Sequence, residues 1–110
     1  MKNFVQTAAV LGVLAPSALA SGDGCLVGAI FGVATTAAAN GAPVEISREG
    51  VFDITMLSTD TGAAGVKVYW DNTNKRLTTT VGSNTLVGAL AAAKANGETI
   101  GRVLLDGVIR

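Results

Sequence analysis

The amino-acid sequence predicts a mainly β protein: a small single-domain β-barrel or β-sandwich, a β-tulip-like body included, with at most one short helix. Three observations carry this prediction. Turn signals rich in Gly, Asn, Asp and Pro recur at short intervals: Ser21-Gly22-Asp23-Gly24, Asn40-Gly41-Ala42-Pro43, residues 59–65, Asp71-Asn72-Thr73-Asn74, Asn96-Gly97 and Asp106-Gly107. Between them lie short runs of Val, Ile, Thr and aromatic residues, several with strict alternation. The chain has 110 residues, which is room for one domain.

Residues 1–24 read as an N-terminal arm or strand segment, and 25–110 as the β-rich body of the same domain. Phe4-Val5 and then 9–14 have strand character, and Ala15-Pro16-Ser17 turns the chain. Residues 26–35 form a longer apolar run interrupted by Gly28 and Gly32. Glycine inside a strand pattern marks a bulge or a close backbone approach. In 43–48, Val44 and Ile46 alternate with Glu45 and Ser47. In 50–55, Val51, Asp53 and Thr55 share one face, and Phe52 and Ile54 share the other. Val66, Val68 and Trp70 lie opposite Lys67 and Tyr69, and the strand leads through Asp71-Asn72-Thr73-Asn74 into 75–81. That is a β-hairpin, because Asn and Asp tolerate the backbone conformations of tight turns. Residues 85–91 and 99–105 complete the strands. The segment 89–95 also has high helix propensity, so one or two helical turns compete there with a tightly packed strand.

Composition limits the chemistry. Ala (18), Gly (14) and Thr (12) dominate, with three Phe, one Trp and one Tyr. Such side chains bury little area each, at roughly 25 cal/mol per Å². Contacts with other subunits are the readiest source of further burial, so self-association as a trimer or dimer is expected. Eight basic residues balance eight acidic ones, so no basic field exists for a nucleic-acid backbone. Cys25 is the only cysteine and forms no intrachain disulfide; in its apolar run it reads as a buried structural thiol. There is no histidine, which removes Ser-His-Asp and Cys-His nucleophile pairs, the commonest general base and the usual zinc sites. Gly62-Ala63-Ala64-Gly65-Val66-Lys67 lacks the spacing and the hydroxyl residue of a phosphate-binding loop. Glu45 and Glu49 share a strand face, and Asp53 and Asp60 follow; with Arg48 and Lys67 at hand, these carboxylates read as an ordinary solvated face. No catalytic, cofactor or metal site is expected. Trp70 reads as a core or interface anchor.

Residues 1–20 imitate a secretory leader: Lys2, an apolar stretch, then Ala18-Leu19-Ala20. A secreted or periplasmic β-domain is therefore a rival reading. Against it, Gln6, Thr7 and Gly12 interrupt the stretch and strand-turn signals run through it. No run reaches the roughly 18 continuous apolar residues of a membrane span.

Several blocks, in order, are Met1-Lys2-Asn3-Phe4-Val5-Gln6, then Ser21-Gly22-Asp23-Gly24 with 26–34, then Gly50-Val51-Phe52-Asp53-Ile54. Gly65-Val66-Lys67-Val68-Tyr69-Trp70-Asp71, Val87-Gly88 and Gly101-Arg102-Val103-Leu104-Leu105 follow. In this order and spacing the chain resembles the DUF2190 family of tailed-phage and prophage proteins, taken to be capsid cement or head decoration proteins. The resemblance spans nearly the whole chain, and the Lys-Val-Tyr-Trp-Asp block after Val-Phe-Asp is its most specific part. It implies a structural, non-enzymatic virion subunit, made in the host cytoplasm, that binds the major capsid protein on the outside of the head. A tail-tube or head-completion protein is a further alternative. Residues 7–20 depart from the family pattern in being Ala-rich. Asn3, Phe4 and Val5 are expected to contact the capsid or a neighbouring subunit, with Trp70 as a further contact. Neither a nucleic acid nor a membrane is an expected partner.

Overall fold

A computed structural model describes residues 10–107. The described chain is all β, with nine strands and no helix. They are β1 (Val10–Leu14), β2 (Gly24–Val27), β3 (Ile30–Ala34), β4 (Pro43–Ser47), β5 (Glu49–Thr55), β6 (Lys67–Asp71), β7 (Arg76–Thr78), β8 (Thr85–Leu90) and β9 (Ile100–Asp106). β1–β4 form a sheet in the order β1-β4-β3-β2, and β5–β9 a second in the order β5-β9-β8-β6-β7. All strand pairs are antiparallel. The second sheet curls so far that its two ends meet. Met56, just beyond β5, bridges Leu77 of β7, and the Leu57 N–H donates to the Leu77 carbonyl at 2.9 Å. The result is a half-barrel with a second sheet beside it, in a body of 47 × 32 × 23 Å.

The two sheets enclose two cores that share a wall. The half-barrel core gathers Ile54, Met56, Val68, Trp70, Leu77, Val87, Leu90, Val103 and Leu105, together with Val33 of β3. The smaller core holds Ala15, Leu19, Cys25, Ala34, Val44 and Ile46. The β2–β3 hairpin is the wall. Leu26 and Phe31 are register partners and face the half-barrel core; Val27 and Ile30 are partners and face the smaller one. A strand pair covered on both sides needs apolar residues on both faces. That is why 26–35 shows no alternation. It also corrects the expectation of one long run: the chain reverses at Gly28, whose φ is +60°, and returns as a separate strand. Gly32 does mark a close approach, since a Cβ there would lie 2.9 Å from the Ser47 carbonyl oxygen.

The alternating segments fold as their patterns require. Val44 and Ile46 are buried, and Pro43 and Glu45 exposed. β9 follows strict exposed-buried alternation. The β6–β7 hairpin forms around Asp71, whose Oδ1 accepts the N–H groups of Thr73 and Asn74 at 3.0 and 3.2 Å. The segment 89–95 takes the strand alternative, with β8 running to Leu90 and Lys94 pairing with Gly62.

Residues 10–20 are integral to the described fold. β1 pairs with β4 along its length, from Val10↔Ser47 to Leu14↔Pro43, while Ala15 and Leu19 sit in the smaller core. A different device holds the long connections of the half-barrel. Lys94 is 4% exposed, and its ammonium donates to the carbonyls of Asp60, Ala95 and Ser58 at 2.7, 3.2 and 3.3 Å. Its backbone exchanges hydrogen bonds of 2.8 and 3.2 Å with Gly62.

Candidate interaction surface

Several of the carboxylates serve the fold: those of Asp23, Asp53, Asp60 and Asp71 hold turns, loops or an ion pair. Glu45 and Glu49 were expected to share a face, but they lie in β4 and β5, on different sheets, because the chain changes sheet at Arg48. Arg48, one of the cations expected to pair with such carboxylates, donates to the Gly107 carbonyl at 2.6 Å. Asp60 Oδ2 accepts from the Thr78 hydroxyl at 2.6 Å and from the Thr79 N–H at 2.9 Å. Asp23 caps its own turn through the Ala20 N–H at 2.9 Å. Asp71 serves its hairpin loop, and hydrogen bonds, first from the Asn74 side chain, hold its carboxyl below the usual range. Among the described residues, no group of three or more His, Cys, Asp or Glu side chains converges as a metal site would need. Cys25 is buried, and burial pushes its thiol pKa up against a smaller opposing effect of Lys75. That is the reverse of an activated nucleophile.

Surface chemistry is concentrated on the outer face of β5 and β9. Alternation along both strands turns Val51, Asp53 and Thr55 outward beside Leu104, Arg102 and Ile100, their register partners. Val51, Leu104 and Ile100 are 55, 49 and 48% exposed. Between the apolar rows lies a two-pronged ion pair: Arg102 Nε to Asp53 Oδ1 at 2.9 Å and the guanidinium NH2 to Oδ2 at 3.2 Å. This bond from Arg102 lowers the Asp53 pKa and raises that of Arg102. Such an exposed pair adds little to stability, and the flanking Val51, Leu104 and Ile100 side chains stay about half exposed beside it. The row Val51–Leu104 continues to Ala89 and Lys67 on the next strands. These three exposed apolar side chains, grouped around one ion pair, make this face the candidate contact surface.

A second uncovered region follows β1. Val10 and Leu14 are 43 and 64% exposed. Gly12, Leu14, Thr36, Pro43 and Glu45 help line an open groove of about 740 Å³ on that face.

Of the contact residues expected from sequence, Asn3, Phe4 and Val5 lie outside the described residues. Trp70 is 2% exposed and belongs to the half-barrel core, so it is the core anchor of its two readings. Its ring lies 5.1 Å from that of Phe31, tilted by 50°, and its Nε1 donates to Asn72 Oδ1 at 3.1 Å. It turns inward because Gly24 leaves space for it: a Cβ on Gly24 would sit 2.6 Å from the indole edge. The exposed Val51, Leu104 and Ile100 were not among the contact residues expected from sequence. Their signal was present in the alternation, which put Val51 on the face of Asp53 and Thr55.

An all-β body with no metal-like cluster among its described residues, bearing exposed apolar side chains on its strands, suits a protein that works by contact. A family model described as phage cement protein matches residues 5–105. The chain belongs to the phage cement protein family. The match covers β1 through nearly all of β9, so both sheets are part of the cement unit. It bears out the capsid-cement resemblance read from the sequence blocks. No curated protein and no solved structure gives a significant match.

Proposed function

We propose that this cement protein binds the outer surface of an assembled phage head and raises the free energy needed to pull its capsid subunits apart. It does so by contact alone and performs no reaction. The observation that carries this reading is the family match across residues 5–105, on a body in which Asp23, Asp60 and Asp71 are engaged in turns and loops and Asp53 in an exposed ion pair. A ligand that binds only the assembled state stabilises that state by mass action, and many symmetry-related copies add their effects. The partner is the major capsid protein, and the subunits also meet one another as a dimer or trimer. The protein is made in the host cytoplasm and ends on the capsid surface. The N-terminal residues Asn3, Phe4 and Val5 form one contact with the shell, and the Val51–Leu104–Ile100 strip forms another. Trp70 acts from inside, by holding the half-barrel in shape.

The test is co-sedimentation of purified protein with heads that lack it. Binding near the copy number of the major capsid protein is expected. Leu104→Lys with Val51→Lys should weaken it at least ~10-fold, since each charge must be desolvated on docking. Both positions are exposed, so the fold should survive. Only about a dozen copies per head would instead indicate a connector or head-completion role.

A further inference from the structure

Among the described residues β1 is an edge strand, and it has a feature that the rest of the described chain does not explain. Gly12 has no positive φ, and a Cβ added there would meet nothing within 4 Å. Every other described glycine either has a positive φ or has no room for a Cβ. Glycine in mid-strand weakens the strand unless another backbone comes close. Within the described chain, nothing comes within 4 Å of where a Gly12 Cβ would stand, on the outer face of the sheet.

The hydrogen-bond phase of β1 says which groups face away from β4. The Ala15 N–H donates to the Ala42 carbonyl at 2.8 Å, in the same register as the β1–β4 ladder. Bonded and non-bonded pairs alternate in an antiparallel ladder. Leu11 and Val13 therefore bond to β4, whereas Val10, Gly12 and Leu14 point their N–H and C=O groups away from it. Glu45, opposite Gly12, agrees with this phase, because it gives its carbonyl to the Thr35 N–H at 3.0 Å on its far side. β1 also lacks the devices that protect edge strands. It contains no charge, no proline and no bulge.

From this edge we infer that two copies of the protein pair through β1, antiparallel, about a two-fold axis at Gly12. The strand Val10-Leu11-Gly12-Val13-Leu14 is complementary to itself when reversed. Val10 faces Leu14 of the second copy, Leu11 faces Val13, and Gly12 faces Gly12. Apolar side chains meet apolar ones on both faces, and no like charges oppose. In this register Val10, Gly12 and Leu14 are the bonded positions, so each opposed pair exchanges both of its N–H···O=C bonds. The paired glycines let the exposed Val10 and Leu14 side chains close over the axis. The first sheets of the two copies become one continuous sheet, and each retains its β5–β9 face for another partner.

The register makes the test specific. Opposed bonded residues have Cα atoms about 5.5 Å apart, within the range a disulfide spans. In full-length protein carrying Cys25→Ala, Gly12→Cys should form an intermolecular disulfide under mild oxidation. Val10→Cys and Leu14→Cys, each about 14 Å from its own copy, should not. Sedimentation of the unmodified protein should show a dimer. Gly12→Pro should weaken dimerisation at least ~10-fold with unchanged circular dichroism, because the N–H it removes faces outward. A monomer at high micromolar concentration would overturn the inference. So would a dimer that links equally well at Val10 or Leu14, or one that Gly12→Pro leaves intact. Head binding is measured separately, so failure here leaves the cement reading standing, and loss of head binding leaves this pairing standing.

Discussion

Replacing Lys94 by Met tests whether a single buried ammonium holds the loops of the half-barrel. The side chain is 4% exposed and donates to three backbone carbonyls, of Ser58, Asp60 and Ala95. Burying an ammonium is costly in itself, so a well-packed apolar substitute can be neutral when it replaces both partners of a polar contact. Here only one partner is replaced. Methionine keeps most of the apolar stem and leaves the carbonyls without their donor. Net contributions of hydrogen bonds to charged groups run at about 1.5–3 kcal/mol, and orphaned buried acceptors add to the loss. The expected destabilisation is about 2–4 kcal/mol. With unfolding entropy near 2.1 cal/mol/K per residue, that lowers Tm by about 9–17 °C for a chain of this length. Calorimetry and urea titration of both proteins give the value. A Tm within about 2 °C of the parent protein would show that the carbonyls find water readily and that the cage adds nothing.

Other consequences are as direct. Gly24→Ala drives a Cβ into the Trp70 ring and should cost about 1–3 kcal/mol through overpacking, measurable by chemical denaturation and by a changed Trp fluorescence maximum. Cys25, buried and with a raised pKa, should resist thiol reagents at neutral pH in the folded protein and react fully in denaturant. The Asp53 and Asp71 carboxyls have lowered pKa values, so their contribution to stability is complete above the ordinary carboxylate range and disappears as pH falls through the lowered values. Carbon-detected NMR titration should place both below an unperturbed aspartate, and Arg102→Gln should return Asp53, but not Asp71, to the ordinary range.

Much of this fold is legible in the residues, and the parts that are not have physical reasons. Strands with one wet face, such as β4, β5 and β9, announce themselves by alternation, and the Asp71 loop by its side-chain chemistry. The β2–β3 hairpin does not. It is covered on both faces and turns at Gly28-Ala29 without a polar residue, so its period and its turn signal are both missing. The division of the chain into a half-barrel and a second sheet depends on the closing contact between Met56 and Leu77, which no local pattern encodes. The Lys94 cage is equally silent, since a lysine among alanines looks solvated until the fold brings the carbonyls of Ser58 and Asp60 around it. Trp70 was legible as an anchor, but its side was decided by the absent Cβ of Gly24. The proposed contact surface lies where apolar residues occupy the wet phase of an alternating strand, as at Val51 and Leu104.

The central claim is that the protein strengthens a shell by binding to it. Heads purified without the protein should rupture at a lower temperature than decorated heads, and added protein should restore the higher value in proportion to the copies bound. Identical rupture temperatures for bare and fully decorated heads would contradict it.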